Sequence, residues 1–306
     1  MKNDRFLPEG YHRGRQFSIP ASTAELLENR ILEGRVIRCD TQHNLHVKCA
    51  GFEGIIPRSE AISPLLSGAE KEISVLSRVG HSVSFLITDT KTDSAGRTQL
   101  ILSRRKAQEL ALEHLKNNCP DGTVCRGRVK HLERFGAFVD IGCGVTALLP
   151  LEYISVARID HPCRRLKVGQ NILCILQKID DKENRFTVSH KELLGTWLEN
   201  AAAFAPGETV TGSIRGIKDY GIFVELTPNL SGLAEYQDGF EENDAVSVYI
   251  KSIRPEQMKI KLQILQKIDP LPIGERLNYF ITDGRVELWQ YAPPGCEKRC
   301  EPVIFS

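Results

Sequence analysis

Two stretches of this chain carry nearly the same message, which demands a fold that repeats. Residues 127–142 read GRVKHLERFGAFVDIG and residues 212–227 read GSIRGIKDYGIFVELT, so that Phe135-Gly-Ala-Phe138 in one copy answers Tyr220-Gly-Ile-Phe223 in the other. Successive side chains of a strand point to opposite faces. With Ala137, Val139 and Ile141 directed to a core, Phe138 shares the other face with Asp140. The second copy has the same parity, with Ile222, Val224 and Leu226 inward and Phe223 and Glu225 outward. An aromatic ring kept out of a small core in both copies reads either as a lid on the end of the core or as a platform on which a flat partner stacks.

A third copy shows through its spacing. From Gly34 the chain runs GRVIRCDTQHNLHVKCAGFEGIIP to Pro57, the same interval that separates Gly127 from Pro150. It continues with Val79-Gly80-His81, Asp89 and Ile101-Leu102-Ser103-Arg104, which answer Val168-Gly169-Gln170, Asp180 and the stretch from Arg185 to Ser189. Here Leu45 and Val47 point inward and Asn44, His46 and Lys48 outward, with no pair of aromatic rings.

These residues resemble the repeat of the bacterial ribosomal protein S1 family. Its pattern is a glycine-led first strand, an aromatic-Gly-x-aromatic second strand, a third strand such as Gly232-Leu233, and a closing stretch from an Asp to a Ser. The resemblance implies an all-β chain with connecting helices: three tandem five-stranded OB-fold barrels followed by a hairpin-like tail. It further implies binding of single-stranded RNA such as mRNA, a role in translation, and the small ribosomal subunit as a partner. On the matching positions, Phe135 and Phe138 would stack bases, and Asp180 and Arg185 would stand beside the groove. Tyr220 and Phe223, with Lys218, would do the same in the third repeat, and His46, Lys48 and Arg97 in the first. The family's third-strand histidine is replaced by Pro57, Pro150 and Glu235, which takes a ring and a donor from each groove.

The layout expected is an arm and short helix over 1–30, capped by Ser22, and barrels over 31–104, 121–190 and 207–265. Connecting helices at 105–120 and 191–206 hold the spacing between barrels, the first because Ser103 to Asn118 lacks Gly and Pro. Residues 266–306 form a tail in which Asp283-Gly284 signals a hairpin. That tail covers the third barrel and buries Trp289, or else Trp289 and Tyr291 make a further contact with RNA or protein.

Charge limits how such a chain could hold a polyanion. The net charge is +1; residues 31–118 and 119–200 each carry twelve basic and ten acidic side chains, and residues 201–266 six and nine. Affinity must then come from local patches: Arg126, Arg128, Lys130 and Arg134, or Arg164, Arg165 and Lys167. The acidic third repeat binds RNA weakly or contacts protein instead.

No stretch of about eighteen apolar residues appears, and no zinc-protease, P-loop or nucleophile-elbow motif is present. Cys296 and Cys300 lack a second pair of ligands nearby, and nine scattered cysteines suit reduced thiols better than a disulfide framework. The expectation is a cytoplasmic, non-enzymatic protein without cofactor or metal, off the membrane and monomeric when free. The rivals are a module that docks on a ribosomal or transcription partner, and an RNA-binding regulator independent of the ribosome.

Overall fold

The computed structural model describes residues 5–11, 30–49, 52–66, 73–92, 98–180, 183–269, 277–297 and 300–305. Ser22 and Arg97 lie outside them. The first barrel comprises β1 (Leu32–Cys39), β2 (Leu45–Cys49), β3 (Phe52–Ile56), β4 (Ser82–Thr92) and β5 (Thr98–Ser103). The middle barrel comprises β6 (Val124–Glu133), β7 (Gly136–Gly142), β8 (Val145–Pro150), β9 (Asn171–Asp180) and β10 (Arg185–Ser189). The third comprises β11 (Thr209–Lys218), β12 (Gly221–Thr227), β13 (Leu230–Ala234), β14 (Ala245–Arg254) and β15 (Lys259–Lys267). Each set closes into a five-stranded barrel with one topology, strands three and five running parallel and every other pair antiparallel.

The repeat extends to atomic detail. The first two strands of each barrel slip register once, between Val36 and Arg38, Val129 and His131, and Ile214 and Gly216. Such bulges sharpen the bend a small barrel needs and re-aim the side chain at the bulge, here Ile37, Lys130 or Arg215. Gly34, Gly127 and Gly212 lead the three first strands for one steric reason: a Cβ at each would lie 2.6 Å from a Cγ1 of Val47, Val139 or Val224 on the second strand. The alternation is as the sequence required, with Leu45, Val47, Ala137, Val139, Ile222 and Val224 buried in the barrel cores.

The connecting segments are plugs rather than spacers. The helix Arg104–Asn118, capped by Ser103 Oγ accepting from Lys106 N at 3.0 Å, buries Ala107, Ala111, Leu112 and Leu115 in the core of the middle barrel. After the middle barrel a single helix over 191–206 does not form; a 3-10 turn (Lys191–Leu194) and a one-turn helix (Trp197–Ala201) take its place. The break falls at Gly195, whose φ of 85° ends the turn, and Thr196 restarts the chain with a capping box to Glu199. Trp197 and Ala201 enter the core of the third barrel. Each connection therefore closes the barrel that follows it.

The tail also departs from expectation. Asp283-Gly284 makes no hairpin; β16 (Leu288–Trp289) pairs with β17 (Val303–Ile304) instead. Val124 N donates to Gly284 O and Val286 N to Gly122 O, both at 2.9 Å, so this segment lies along the edge of the middle barrel. Trp289 is buried with Val124, Ile175, Leu193, Val286 and Phe305, so the tail covers chiefly the middle barrel, while Tyr291 packs against the core of the third, whose five strands already close. Among the described residues no helix is long and apolar enough to cross a membrane.

Candidate nucleic-acid interface

The strand-two aromatics form the same object twice. Phe135 and Phe138 meet edge to face at 6.1 Å between ring centroids and 88° between planes, and Tyr220 and Phe223 meet at 6.1 Å and 89°. The first ring of each pair stands at the turn and is open to solvent, 58% exposed for Phe135 and 69% for Tyr220. The second is half-buried beside a leucine on strand three, Phe138 in register with Leu148 and Phe223 with Leu233. The half-buried ring is fixed by its neighbours while the exposed one keeps a free face, an arrangement suited to stacking planar groups.

Around the middle pair the cations divide. Lys130, the bulge residue, and Arg185, at the start of β10, line a cleft of about 560 Å³ with Phe138 and Leu148. Arg134 is exposed near the strand turn. Asp180 ends β9 opposite Arg185, and its Oδ1 accepts from Glu183 N at 3.4 Å. Arg185 pairs with Glu183 at 2.8 Å, both side chains well exposed, a pairing that contributes little on its own.

Arg128 does not join this set. It is buried beside Gly10 of the N-terminal arm and donates to Asn171 Oδ1 at 2.7 Å. Arg126 lies over the Tyr11 ring of the same arm at 5.9 Å. The arm thus occupies the first half of the basic row on β6, which its distance in sequence concealed.

The carboxylates assigned to the outward face are likewise enclosed. Asp140 has no exposed surface; it accepts from Gly142 N and Gly144 N at 3.0 Å and from Glu9 N at 2.9 Å. Glu9 in turn takes a two-point contact from Arg104 at 2.7 and 3.0 Å and a bond from Ser84 N, tying arm, helix and first barrel to the middle barrel. Burial pushes the Asp140 carboxyl up to about 6 against the pull of Lys130. For Glu9, burial acts upward too, but the Arg104 guanidinium holds its carboxyl below the ordinary value. Glu225 sits at the equivalent place in the third barrel and receives Arg215 from its own bulge at 2.8 Å and Arg165 from the middle barrel. Arg165 is therefore an inter-barrel anchor and not part of a phosphate patch, although Arg164 and Lys167 remain near the surface. The polar spacing that seemed to mark a wet face marks joints between modules.

The other two faces differ in chemistry. In the first barrel His46 occupies the place of Phe138 but is engaged at both ring nitrogens, by Asp40 at 3.2 Å and Arg38 at 3.3 Å, while Lys48 is exposed. In the third, Lys218 is exposed before Tyr220, yet the neighbourhood includes Asp219, Glu235, Asp238, Glu241 and Glu242, all exposed. Lys251 is drawn to Glu235 at 3.2 Å. Leu148 could have been found by extending the parity argument to strand three; Arg78 and Ile62, which line the cleft from the first barrel, carry no local signal.

The fold and the repeated ring pair define a class. Residues 119–191, the middle barrel, match the family described as the S1 RNA binding domain, and the chain folds as three tandem five-stranded OB-fold barrels of one topology. At the level of whole chains it is similar to the small ribosomal subunit protein bS1: it is 29% identical over 257 residues to that of Leuconostoc lactis, covering 78% of this chain and 56% of that protein. With bS1 of Rhodopseudomonas palustris it shares 31% identity over 189 residues, 60% of this chain and 32% of that protein. It is also 27% identical over 256 residues to a Clostridium acetobutylicum protein named 4-hydroxy-3-methylbut-2-enyl diphosphate reductase, covering 78% of this chain and 39% of that one. The chain thus spans from about a third to just over half the length of these relatives. Among solved structures, a multidomain protein with nucleic acid binding domains from Streptococcus pneumoniae aligns over 78% of this chain and 73% of its own, at 15% identity and a TM-score of 0.26.

Proposed function

We propose that the chain binds single-stranded RNA, principally through the middle barrel, and acts in translation in the manner of a bS1-like protein. The observation that carries this reading is the Phe135–Phe138 pair set beside a cleft that Lys130 and Arg185 line. Unpaired bases would stack on the rings, each contributing roughly 1–3 kcal/mol, while the cations hold phosphates. Arg134 at the strand turn adds a further phosphate contact, and Asp180 shapes the turn that presents Arg185. The chain works by binding and not by catalysis, in the cytoplasm, as a monomer when free, with mRNA and the small ribosomal subunit as partners; the S1 domain match and the bS1 relatives favour the RNA and ribosomal partners.

The test is anisotropy of a labelled single-stranded RNA, beside its duplex, at two salt concentrations. Binding should be confined to the single strand and weaken by about 0.7 log units per phosphate contact per tenfold salt. Phe135→Ala with Phe138→Ala should abolish most of it while the middle barrel stays folded. Unchanged affinity in that folded variant would remove the stacking mechanism.

A second reading applies to the third barrel. The acidic surface around Tyr220 repels phosphate. We infer that this face docks a protein partner or contributes little to RNA binding. Loss of RNA affinity on Tyr220→Ala with Phe223→Ala comparable to that of the middle-barrel variant would overturn it.

A further inference from the structure

The cleft beside Phe138 is built by two barrels. One wall is the face of the middle barrel, with Phe138, Leu148, Lys130 and Arg185; the other is the excursion between β3 and β4 of the first barrel, with Ile62 and Arg78. We propose that this cleft is a nucleotide subsite shared by the first and middle barrels, in which an unpaired base lies on Phe138 against the Ile62 wall and its phosphate is held by Arg78 together with Lys130 and Arg185. This inference rests on the RNA-binding reading above and adds to it a second module and a residue, Arg78, outside the middle barrel.

Four observations support it. The volume, about 560 Å³, falls within the range of ~300–1,000 Å³ typical of small-molecule clefts. The lining combines two phenylalanine rings and aliphatic side chains with four cations, Arg104 held by Glu9 and the other three being Arg78, Lys130 and Arg185, the combination that a flat base bearing an anionic group requires. The wall is held in place: Asn184 Nδ2 donates to Leu65 O at 2.9 Å, and Ser63 N donates to Gln108 Oε1 at 2.9 Å, so both the middle barrel and the connecting helix pin the excursion. Arg78, one of the lining residues, is oriented by Nε donating to Ser74 O at 3.1 Å.

The nearby carboxylates answer only part of this charge. Glu9 is bonded twice by Arg104, and Asp140 accepts from backbone amides while also pairing with Lys130 at 3.8 Å, so part of the Lys130 charge is already answered. Arg185 would exchange its solvent-exposed partner Glu183 for phosphate at little cost. The arrangement also gives the first barrel a task. Its own strand two offers His46, already bonded to Asp40 and Arg38, where the middle barrel offers a ring, so it serves the site as a wall and not as a platform.

The experiment uses the full chain, a short fluorescein-labelled oligouridylate and the same oligomer carrying 4-thiouridine. Arg78→Gln should lower affinity about tenfold, the loss expected for one charge-assisted contact, and make the log–log salt slope shallower by about 0.7. Arg78→Lys should preserve the slope. Photo-cross-links should appear both near Phe138 and at Ile62 or Ser74–Arg78. If Arg78→Gln keeps wild-type affinity and slope while the Phe135/Phe138 double variant loses binding, RNA binding stands and the shared cleft is wrong. If neither variant changes binding, both readings fall. Thermal melts of the variants separate a lost contact from a collapsed cleft: a wild-type melting temperature with lost affinity supports the proposal, and cross-links confined to the middle barrel overturn it.

Discussion

Replacing Glu225 should damage the chain more than replacing its partner Arg165. Both side chains are buried at the joint between the middle and third barrels, 8% and 5% exposed, so neither charge can fall back on water. The surroundings are unequal. Without Arg165, Glu225 keeps Arg215, bonded to it at 2.8 and 3.4 Å. Without Glu225, Arg165 has only a long 3.5 Å bond from Nη1 to Arg164 O, and its Nε already lacks a partner among the described residues. Burial, aided by the neighbouring Arg215 cation, pushes the Arg165 guanidinium down from its ordinary value, and Glu225 is what opposes it. Glu225→Met thus strands a buried cation and should cost about 3–5 kcal/mol. Arg165→Met removes one of the three charge-assisted bonds that Glu225 accepts and should cost about 1–2 kcal/mol. The double variant, in which Arg165 is no longer stranded and Arg215, the cation that remains, keeps its bond to Asn243, should be more stable than Glu225→Met alone. Urea unfolding followed by Trp197, which sits in the third-barrel core, would measure this in a Trp289→Phe background, since these are the chain's two tryptophans. Equal costs for the two single variants, or an additive double variant, would refute the reasoning.

Two further outcomes concern folding of the middle barrel and docking of the tail. Gly127→Ala should cost about 1–3 kcal/mol, because its Cβ would stand 2.6 Å from Val139 Cγ1, and Val139→Ala in the same chain should recover part of it; thermal unfolding reads both. His190 is buried with Nδ1 2.7 Å from Ile154 O and Nε2 3.0 Å from the Tyr279 hydroxyl of the tail, and burial pushes its ring down to about 4. A base with a depressed folded-state pKa takes its proton first in the unfolded chain, so stability is full above about 6.5 and is lost as pH falls toward 4, by about 3 kcal/mol. Hydrogen exchange in the tail and Trp289 fluorescence should show undocking in that window, and His190→Gln should flatten the response. Asp140, raised by burial to about 6, acts in the opposite sense between about pH 4 and 6, so whole-chain stability should vary less with pH than the tail does.

Much of this protein was written locally. Gly34, Gly127 and Gly212 could be aligned by interval because each meets the same strand-two valine, and a one-residue shift would turn every core side chain outward. The ring pairs were legible because alternation along a strand is a property of the backbone alone. Alternation tells which face a residue takes, but not what covers that face. Phe138 and Asp140 share a face of β7, yet one lines a cleft and the other lies beneath the arm, and Glu225 is covered by a different barrel from its own. Arg128 left the candidate groove for the same reason: the arm that buries it lies more than a hundred positions away.

The chain's sequence by itself determined three barrels, their strand register and the two outward ring pairs, because these depend on contacts within a repeat and on the period of two along each strand. Only the tertiary structure decided that the connecting segments plug barrels, that the tail covers chiefly the middle barrel, and that Arg78 of one barrel and Phe138 of the next line a common cleft. Those are contacts between surfaces distant in sequence, fixed by buried ion pairs and packing that no short-range pattern encodes.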